Sequence, residues 1–243
     1  IGLAGTGNGN IASFTATNTT PAPVTATIIV TPSANGCTGS STSFSINVNP
    51  TPLLSSVLTA APICNNTTFN YTPTSATTGT TFAWSRSTFA GISNPAATGT
   101  DDPNEILENT TADPIAVTYT YTLTANGCVN TQDVTVVVNP TPQLNSGLVG
   151  SPICDNSLFT YTPASATAGT SFAWTRPVVA GISNPAGNGT GNISEVLSNA
   201  TPLPVTVTYN YTLTANGCSN THDVTVVVNP TPQLNSSVTA IVC

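Results

Sequence analysis

From Val117 to Thr124 apolar and hydroxyl side chains alternate: Val117, Tyr119, Tyr121 and Leu123 hold one set of positions, and Thr118, Thr120, Thr122 and Thr124 the other. A period of two predicts a β-strand with one buried face and one threonine-rich face. The alternation returns at Val207, Tyr209, Tyr211 and Leu213. The first of these strands runs into Asn126-Gly127, a tight-hairpin signal, and a following strand spans Asp133 to Val138. Phe69 and Tyr71 mark an earlier strand, with copies at Phe159 and Tyr161; Phe82 and Trp84 mark another, with copies at Phe172 and Trp174. No stretch carries a helical period. Glu105 to Asn109 is too short, and the Thr and Pro around it favour strand or loop.

These elements recur every 90 residues. Asp133–Ser146 and Asp223–Ser236 are the same fourteen residues, DVTVVVNPTPQLNS, and Cys64/Cys154, Trp84/Trp174, Arg86/Arg176 and Cys128/Cys218 are each 90 apart. A fixed period of domain size predicts a linear array of like modules. Residues 1–49 correspond to the C-terminal part of a module, 50–139 and 140–229 are two complete modules, and 230–243 begin another. The joints read Asn-Pro-Thr-Pro, at Asn49–Pro52, Asn139–Pro142 and Asn229–Pro232; two prolines in three residues make a short, stiff, extended spacer. Residues 1–49 lack the Phe and Trp strands of the full modules. Half a core is therefore expected to come from polypeptide outside this sequence, upstream in the same chain or from a neighbouring subunit.

Short strands, one Trp and paired Cys in about 90 residues predict all-β, immunoglobulin-like antiparallel sandwich modules, with Trp84, Trp174, Tyr119 and Tyr209 in the core. The order Cys, Phe-x-Tyr-Thr-Pro, Phe-x-Trp-x-Arg, Gly-Ile-Ser-Asn-Pro, Tyr-Thr-Leu-Thr-Ala-Asn-Gly-Cys and Val-Asn-Pro-Thr-Pro resembles the PKD-like (polycystic-kidney-disease-like) and immunoglobulin-like repeats of giant bacterial cell-surface proteins, adhesin or gliding-motility in type. Residues 1–49 depart somewhat, with Ile28 and Ile29 in place of the Tyr alternation and Pro32 at the strand end. The resemblance implies an exported β-sandwich stalk at the bacterial cell surface, serving adhesion, motility or an extracellular filament.

Charge narrows the partners. Only 5% of the 243 residues are charged, the net charge is −7, and Arg86 and Arg176 are the only cations. That argues against nucleic acid and anionic membrane surfaces, and the absence of Lys excludes isopeptide cross-links with a Lys donor. No run approaches the ~18 apolar residues of a membrane span. With no initial Met and no signal peptide, the chain reads as a window from a longer mature polypeptide. Expected partners are neighbouring repeats of the same chain or like subunits in a fibre, with surface glycans as an alternative. Asn-x-Ser/Thr sequons such as Asn66-Thr67-Thr68 and Asn199-Ala200-Thr201 are weak evidence for attached sugars in so Asn- and Thr-rich a chain.

The candidate chemistry is sparse. His222 is the only His and answers to Gln132, so a nucleophile–base pair has no repeated base. Glu105/Glu195 and Asp133/Asp223 are the only recurring carboxylates, a poor basis for a glycosidase pair. No catalytic residue and no cofactor is expected. Asp101, Asp102 and Glu105 form a weak Ca²⁺ candidate, thinned to Gly191, Asn192 and Glu195 in the next module and to Gly9, Asn10 and Ser13 in the first. Arg86 and Arg176 are expected at the sandwich edge against a carboxylate or carbonyl. A glycan-binding module would need Tyr119, Tyr121 or Trp84 exposed, and an accessory region of a secreted enzyme would be decided by flanking sequence.

Six cysteines in a chain so poor in charge read as secreted and disulfide-forming, with Cys64, Cys128, Cys154 and Cys218 as the paired set and Cys37 and Cys243 pairing outside the window. Two connectivities stay open. One closes each module on itself, Cys64 with Cys128 and Cys154 with Cys218, and is slightly favoured. The other joins neighbours, Cys64 with Cys218. Strand direction favours the second, since the two cysteines of one module fall at opposite ends of a sandwich whose strands span tens of Å, and a disulfide needs Cα atoms within about 7 Å.

Overall fold

The computed structural model describes residues 1–234 and 236. Every regular element among them is a strand, and none is a helix. By its contacts the chain divides into two compact units, Ile1–Asn109 with Ile115–Val138, and Thr110–Pro114 with the chain from Asn139 onward.

In the first unit a five-stranded sheet runs in the order Ile63–Cys64, Cys128–Asn139, Ile115–Ala125, Thr81–Arg86, Ala97–Thr100. A second layer pairs Thr67–Phe69 with Glu105–Leu107. Between the layers lie Phe69, Tyr71, Trp84, Leu107 and the alternating face Val117, Tyr119, Tyr121 and Leu123. The predicted period of two is met: these last four side chains are 0% exposed, and the intervening threonines face outward. Tyr121 stands opposite Trp84 and Leu123 opposite Phe82, which places the aromatics of two strands in one packed layer.

The second unit repeats the plan with Ile153–Cys154, Cys218–Asn229, Val205–Ala215, Ser171–Arg176 and Gly187–Thr190 in one sheet, and Ser157–Tyr161 with Ser194 and its neighbours in Ile193–Leu197 in the other. The sandwich is antiparallel except at its first strand: Ile153 and Cys154 pair parallel to Val228 and Asn229. Isolated parallel bridges, Thr59 to Thr135 and Val149 to Thr225, extend that edge in both modules.

The hairpin turns are decided by two residues each. Asn126 and Gly127 have φ of 50° and 77°, and Asn216 and Gly217 have 51° and 79°. Two consecutive positive φ values make the turn whose twist suits a hairpin, and Asn-Gly enters it with least strain.

Residues 1–49 form a hairpin, Val24–Val30 with Thr42–Val48, and a shorter ladder, Ser33–Ala34 with Cys37–Thr38. Val48 is buried, but Ile29, Val30 and Phe44 are exposed. The strand stops short of Pro32, as a residue with no ladder donor requires.

Candidate functional site

Arg86 leaves the Trp strand two residues after Trp84, on the same face, and enters the core. It is 2% exposed. Its Nε donates to Glu105 Oε2 at 2.9 Å and its Nη2 to Glu105 Oε1 at 2.9 Å, a two-pronged ion pair. Nη2 also donates to the Pro95 carbonyl at 2.8 Å and Nη1 to the Ser87 carbonyl at 3.2 Å. The Tyr119 hydroxyl donates to Glu105 Oε2 at 2.7 Å, and the guanidinium carbon lies 5.9 Å from the centre of the Tyr119 ring. The second module repeats the set: Arg176 Nε to Glu195 Oε2 at 2.9 Å, Nη2 to the Pro185 carbonyl at 2.7 Å, and the Tyr209 hydroxyl to Glu195 Oε2 at 2.6 Å. The arginines are thus buried rather than at the edge. The carboxylate partner comes from a strand of the opposite layer, which brings it inside.

The electrostatics follow from that enclosure. Hydrogen bonding to Glu105 lifts the Arg86 guanidinium above its ordinary value, against the opposing pull of burial. Burial pushes the Glu105 carboxyl up, but hydrogen bonds from Arg86 and Tyr119 and the Arg86 charge together outweigh it, and the group titrates below the usual range. Burial, then the adjacent carboxylate, drives the Tyr119 phenol far upward. Glu195 and Tyr209 shift in the same directions for the same reasons. A glutamate held ionised and a tyrosine held neutral, with each polar atom engaged, is a structural cluster and a poor acid–base pair.

The Ca²⁺ candidates do not converge. Glu105 faces Arg86; Asp102 Oδ1 accepts from the Tyr71 and Asn104 backbone N–H groups at 2.8 and 3.2 Å; and Asp101 contributes its carbonyl to the Tyr121 hydroxyl at 3.0 Å. Among the described residues no group of three His, Cys, Asp or Glu side chains is placed to hold a metal ion. Asp133 and Asp223 sit on the outer face, each accepting from its cross-strand neighbour: Thr120 Oγ at 2.7 Å and Asn210 Nδ2 at 2.9 Å. His222 Nε2 lies 3.1 Å from Asn220 Nδ2. Trp84, Tyr119 and Tyr121 are buried, so none of the three offers a stacking platform at the surface. A hollow of about 340 Å³ is lined by Ser85, Arg86, Ser87, Ala96, Ala97 and Thr98, and its one charged group, Arg86, is already paired with Glu105.

Two structural positions in each module carry no signal in a single module's sequence. Gly99 and Gly189 lie under the indoles of Trp84 and Trp174, where a Cβ would come within 2.6 and 2.7 Å of the ring. Their 90-residue spacing was the available signal. Asn109 and Asn199 are buried clamps. Asn199 Nδ2 donates to the Leu203 and Val228 carbonyls at 2.8 and 2.9 Å, and its Oδ1 accepts from the Thr201 N–H and hydroxyl at 2.9 and 2.8 Å. Asn18 does the same for Ala22 and Val48. The sequon at Asn199 is therefore a corner-closing motif whose amide is already engaged.

The cysteines correct the slightly favoured pairing. Cys154 stands opposite Asn229, and Cys218 begins the same twelve-residue strand, so the two lie roughly 35 Å apart at ~3.3 Å per residue. No disulfide spans that distance. Cys128 and Cys154, expected to be paired, and Cys37 carry free thiols, while Cys64 and Cys218 are disulfide-bonded. Cys243 lies outside the described residues.

A family model for the PKD-like domain matches residues 61–142 and again 151–232. The chain belongs to the PKD-like domain family. No curated protein matches it. Among solved structures, a three-domain immunoglobulin fragment of titin is similar at 9% identity, TM-score 0.39, over 79% of this chain and 70% of that one. Human protocadherin-24 is similar at 11% identity, TM-score 0.37, over 76% and 100%. An endo-fucoidan hydrolase of glycoside hydrolase family 107 is similar at 11% identity, TM-score 0.29, over 86% of this chain; the chain spans 34% of that enzyme's length.

Proposed function

We propose that this PKD-like array is a non-catalytic structural segment of a secreted bacterial surface protein or extracellular filament, a stalk that holds an adhesive or motile part away from the cell. The observation that carries this reading is the fate of the recurring reactive groups. Arg86, Glu105 and Tyr119, and their copies Arg176, Glu195 and Tyr209, are consumed in the same internal cluster in both modules. An array that repeats its core chemistry and leaves its outer faces to threonine and asparagine is suited to bearing load. An extracellular setting is supported by disulfide bonding at Cys64 and at Cys218 and by the PKD-like modules.

The test is to stretch the chain singly between a surface and a cantilever. With the disulfides reduced, load-bearing modules give discrete unfolding peaks with an added contour length of roughly 30 nm per 90-residue module, at ~3.5 Å per residue. A chain that extends without peaks would sink the stalk reading.

A further inference from the structure

The joint between repeats is built the same way twice. Asn49 follows the last residue of its strand and donates from Nδ2 to the Asn126 carbonyl at 2.7 Å; Asn139 ends its strand and donates from Nδ2 to the Asn216 carbonyl at 2.9 Å. Each acceptor opens the Asn-Gly turn of the following module, and a cysteine, Cys128 or Cys218, follows two residues later. The third asparagine of the series is Asn229. Cys154 is its partner across the parallel ladder, and the Asp155 N–H donates to the Asn229 carbonyl at 2.8 Å. Cys154 is exposed and carries a free thiol. The second complete module therefore presents a strand-end asparagine with a thiol beside it.

The stretch 1–49 presents the matching piece. Asn35 and Gly36 have φ of 52° and 82°, the conformation of the two docked turns, and Ala34 pairs with Cys37 as Ala125 pairs with Cys128 and Ala215 with Cys218. Cys37 is exposed and free as well. We propose that the chain joins a second copy of itself head to tail: Asn229 of one copy takes the Asn35 carbonyl of the next, and Cys154 and Cys37 close a disulfide across the joint. Cys64 and Cys218 are each disulfide-bonded, so cysteines of both kinds, beside a strand-end asparagine and after an Asn-Gly turn, enter disulfides in this chain. A head-to-tail contact of unlike patches leaves a free patch at each end of every oligomer, so it adds further copies and grows into an open filament where its rotation does not close a ring.

The oxidant is a small-molecule disulfide such as oxidised glutathione. One protein thiolate attacks it, forming a mixed disulfide and releasing one thiol. The second protein thiolate attacks the mixed disulfide, forming the protein S–S bond and releasing the second thiol. Two protein thiols become one disulfide, and one glutathione disulfide becomes two glutathiones.

This inference rests on the structural reading above, but its failure would leave the unfolding peaks of a single chain untouched. The test uses the full 243-residue chain with Cys243→Ser, so that only described thiols take part, incubated with oxidised glutathione and run on a non-reducing gel. The expected result is a ladder of monomer, dimer, trimer and beyond, with a Cys37–Cys154 peptide on mapping. Cys37→Ser alone and Cys154→Ser alone should remain monomers, whereas their mixture should form a dimer and stop there. Asn229→Ala should slow the ladder severalfold at fixed oxidant while leaving the circular dichroism spectrum unchanged. Absence of a ladder, a ladder linked through Cys128, Cys37–Cys37 peptides, or a rate indifferent to Asn229→Ala would each overturn the proposal.

Discussion

The indole of Trp84 rests on the bare backbone of Gly99, so close that a methyl group there would lie 2.6 Å from Cζ2 and 2.9 Å from Nε1. Trp174 and Gly189 repeat the contact at 2.7 and 3.0 Å. The indole is also edge-on to Tyr119, with ring centres 5.5 Å apart, so it has no room to retreat. The packing is achieved although the Trp84 and Trp174 N–H groups are buried without an acceptor.

Gly99→Ala should therefore destabilise its module by about 1–3 kcal/mol, the range for overpacking a filled core. Chemical denaturation followed by tryptophan fluorescence reads it. Gly7, the corresponding residue of the first stretch, has nothing within 4 Å of its would-be Cβ, so the same change there should be tolerated. An unchanged midpoint for Gly99→Ala would show that the indole does not sit where this contact puts it.

Removing one member of the internal ion pair should cost more than removing both. Glu105→Ala strands a buried guanidinium and is expected to cost about 3–5 kcal/mol, whereas Arg86→Met with Glu105→Leu should recover most of that loss. Thermal melting of the two variants checks the order. If the double variant is the less stable, the pair is a net stabiliser rather than a geometric constraint.

Stability should fall on both sides of neutrality. The folded carboxyls of Glu105 and Glu195 titrate below their unfolded value of about 4.3, so their contribution is full above that pH and is lost as the pH drops through the folded value. Tyr119, Tyr121, Tyr209 and Tyr211 are all pushed upward, chiefly by burial. Their contribution is full below the unfolded value of about 10 and is lost as the pH climbs from there toward the folded value. Melting temperature against pH should be flat between these limits and steep outside them. Tyr119→Phe with Tyr121→Phe should flatten the alkaline limb; an alkaline limb unaltered by that change would contradict the burial argument.

Chelator should leave the melting temperature of the chain unchanged, because the oxygens of Glu105 and Asp102 are already occupied by Arg86, Tyr119 and backbone N–H groups. A fall on adding EDTA that is reversed by Ca²⁺ would reveal a cation site built from other groups.

Asn199 should carry no sugar even when the chain is made in a glycosylating host, because its amide nitrogen is buried between two carbonyls. Mass spectrometry of the tryptophan-bearing second module would show an unmodified Asn199. A glycan there would mean the corner forms after modification, or not at all.

Much of the architecture was legible along the chain. Alternation at Val117–Leu123 needs only local geometry, because side chains of a strand point to opposite faces in turn. Asn126-Gly127 needs only two backbone dihedrals. The 90-residue copies of Trp84, Arg86 and Cys64 separated what a module requires from what one module happens to carry, and so removed His222 from consideration as a catalytic base.

What the chain could not disclose was which layer a partner comes from. Glu105 and Arg86 are nineteen residues apart, and only the stacking of the two layers turns the carboxylate inward and makes an edge arginine a buried one. The parallel pairing of Ile153–Cys154 with Val228–Asn229 is likewise a matter of which edge the first strand joins. That choice separates Cys154 from Cys218 by the length of a strand and sets it beside Asn229. Local pattern specifies the strands and their faces, because those depend on neighbouring dihedrals. The pairing of distant side chains depends on register and layer order, which are settled only when the whole sandwich closes.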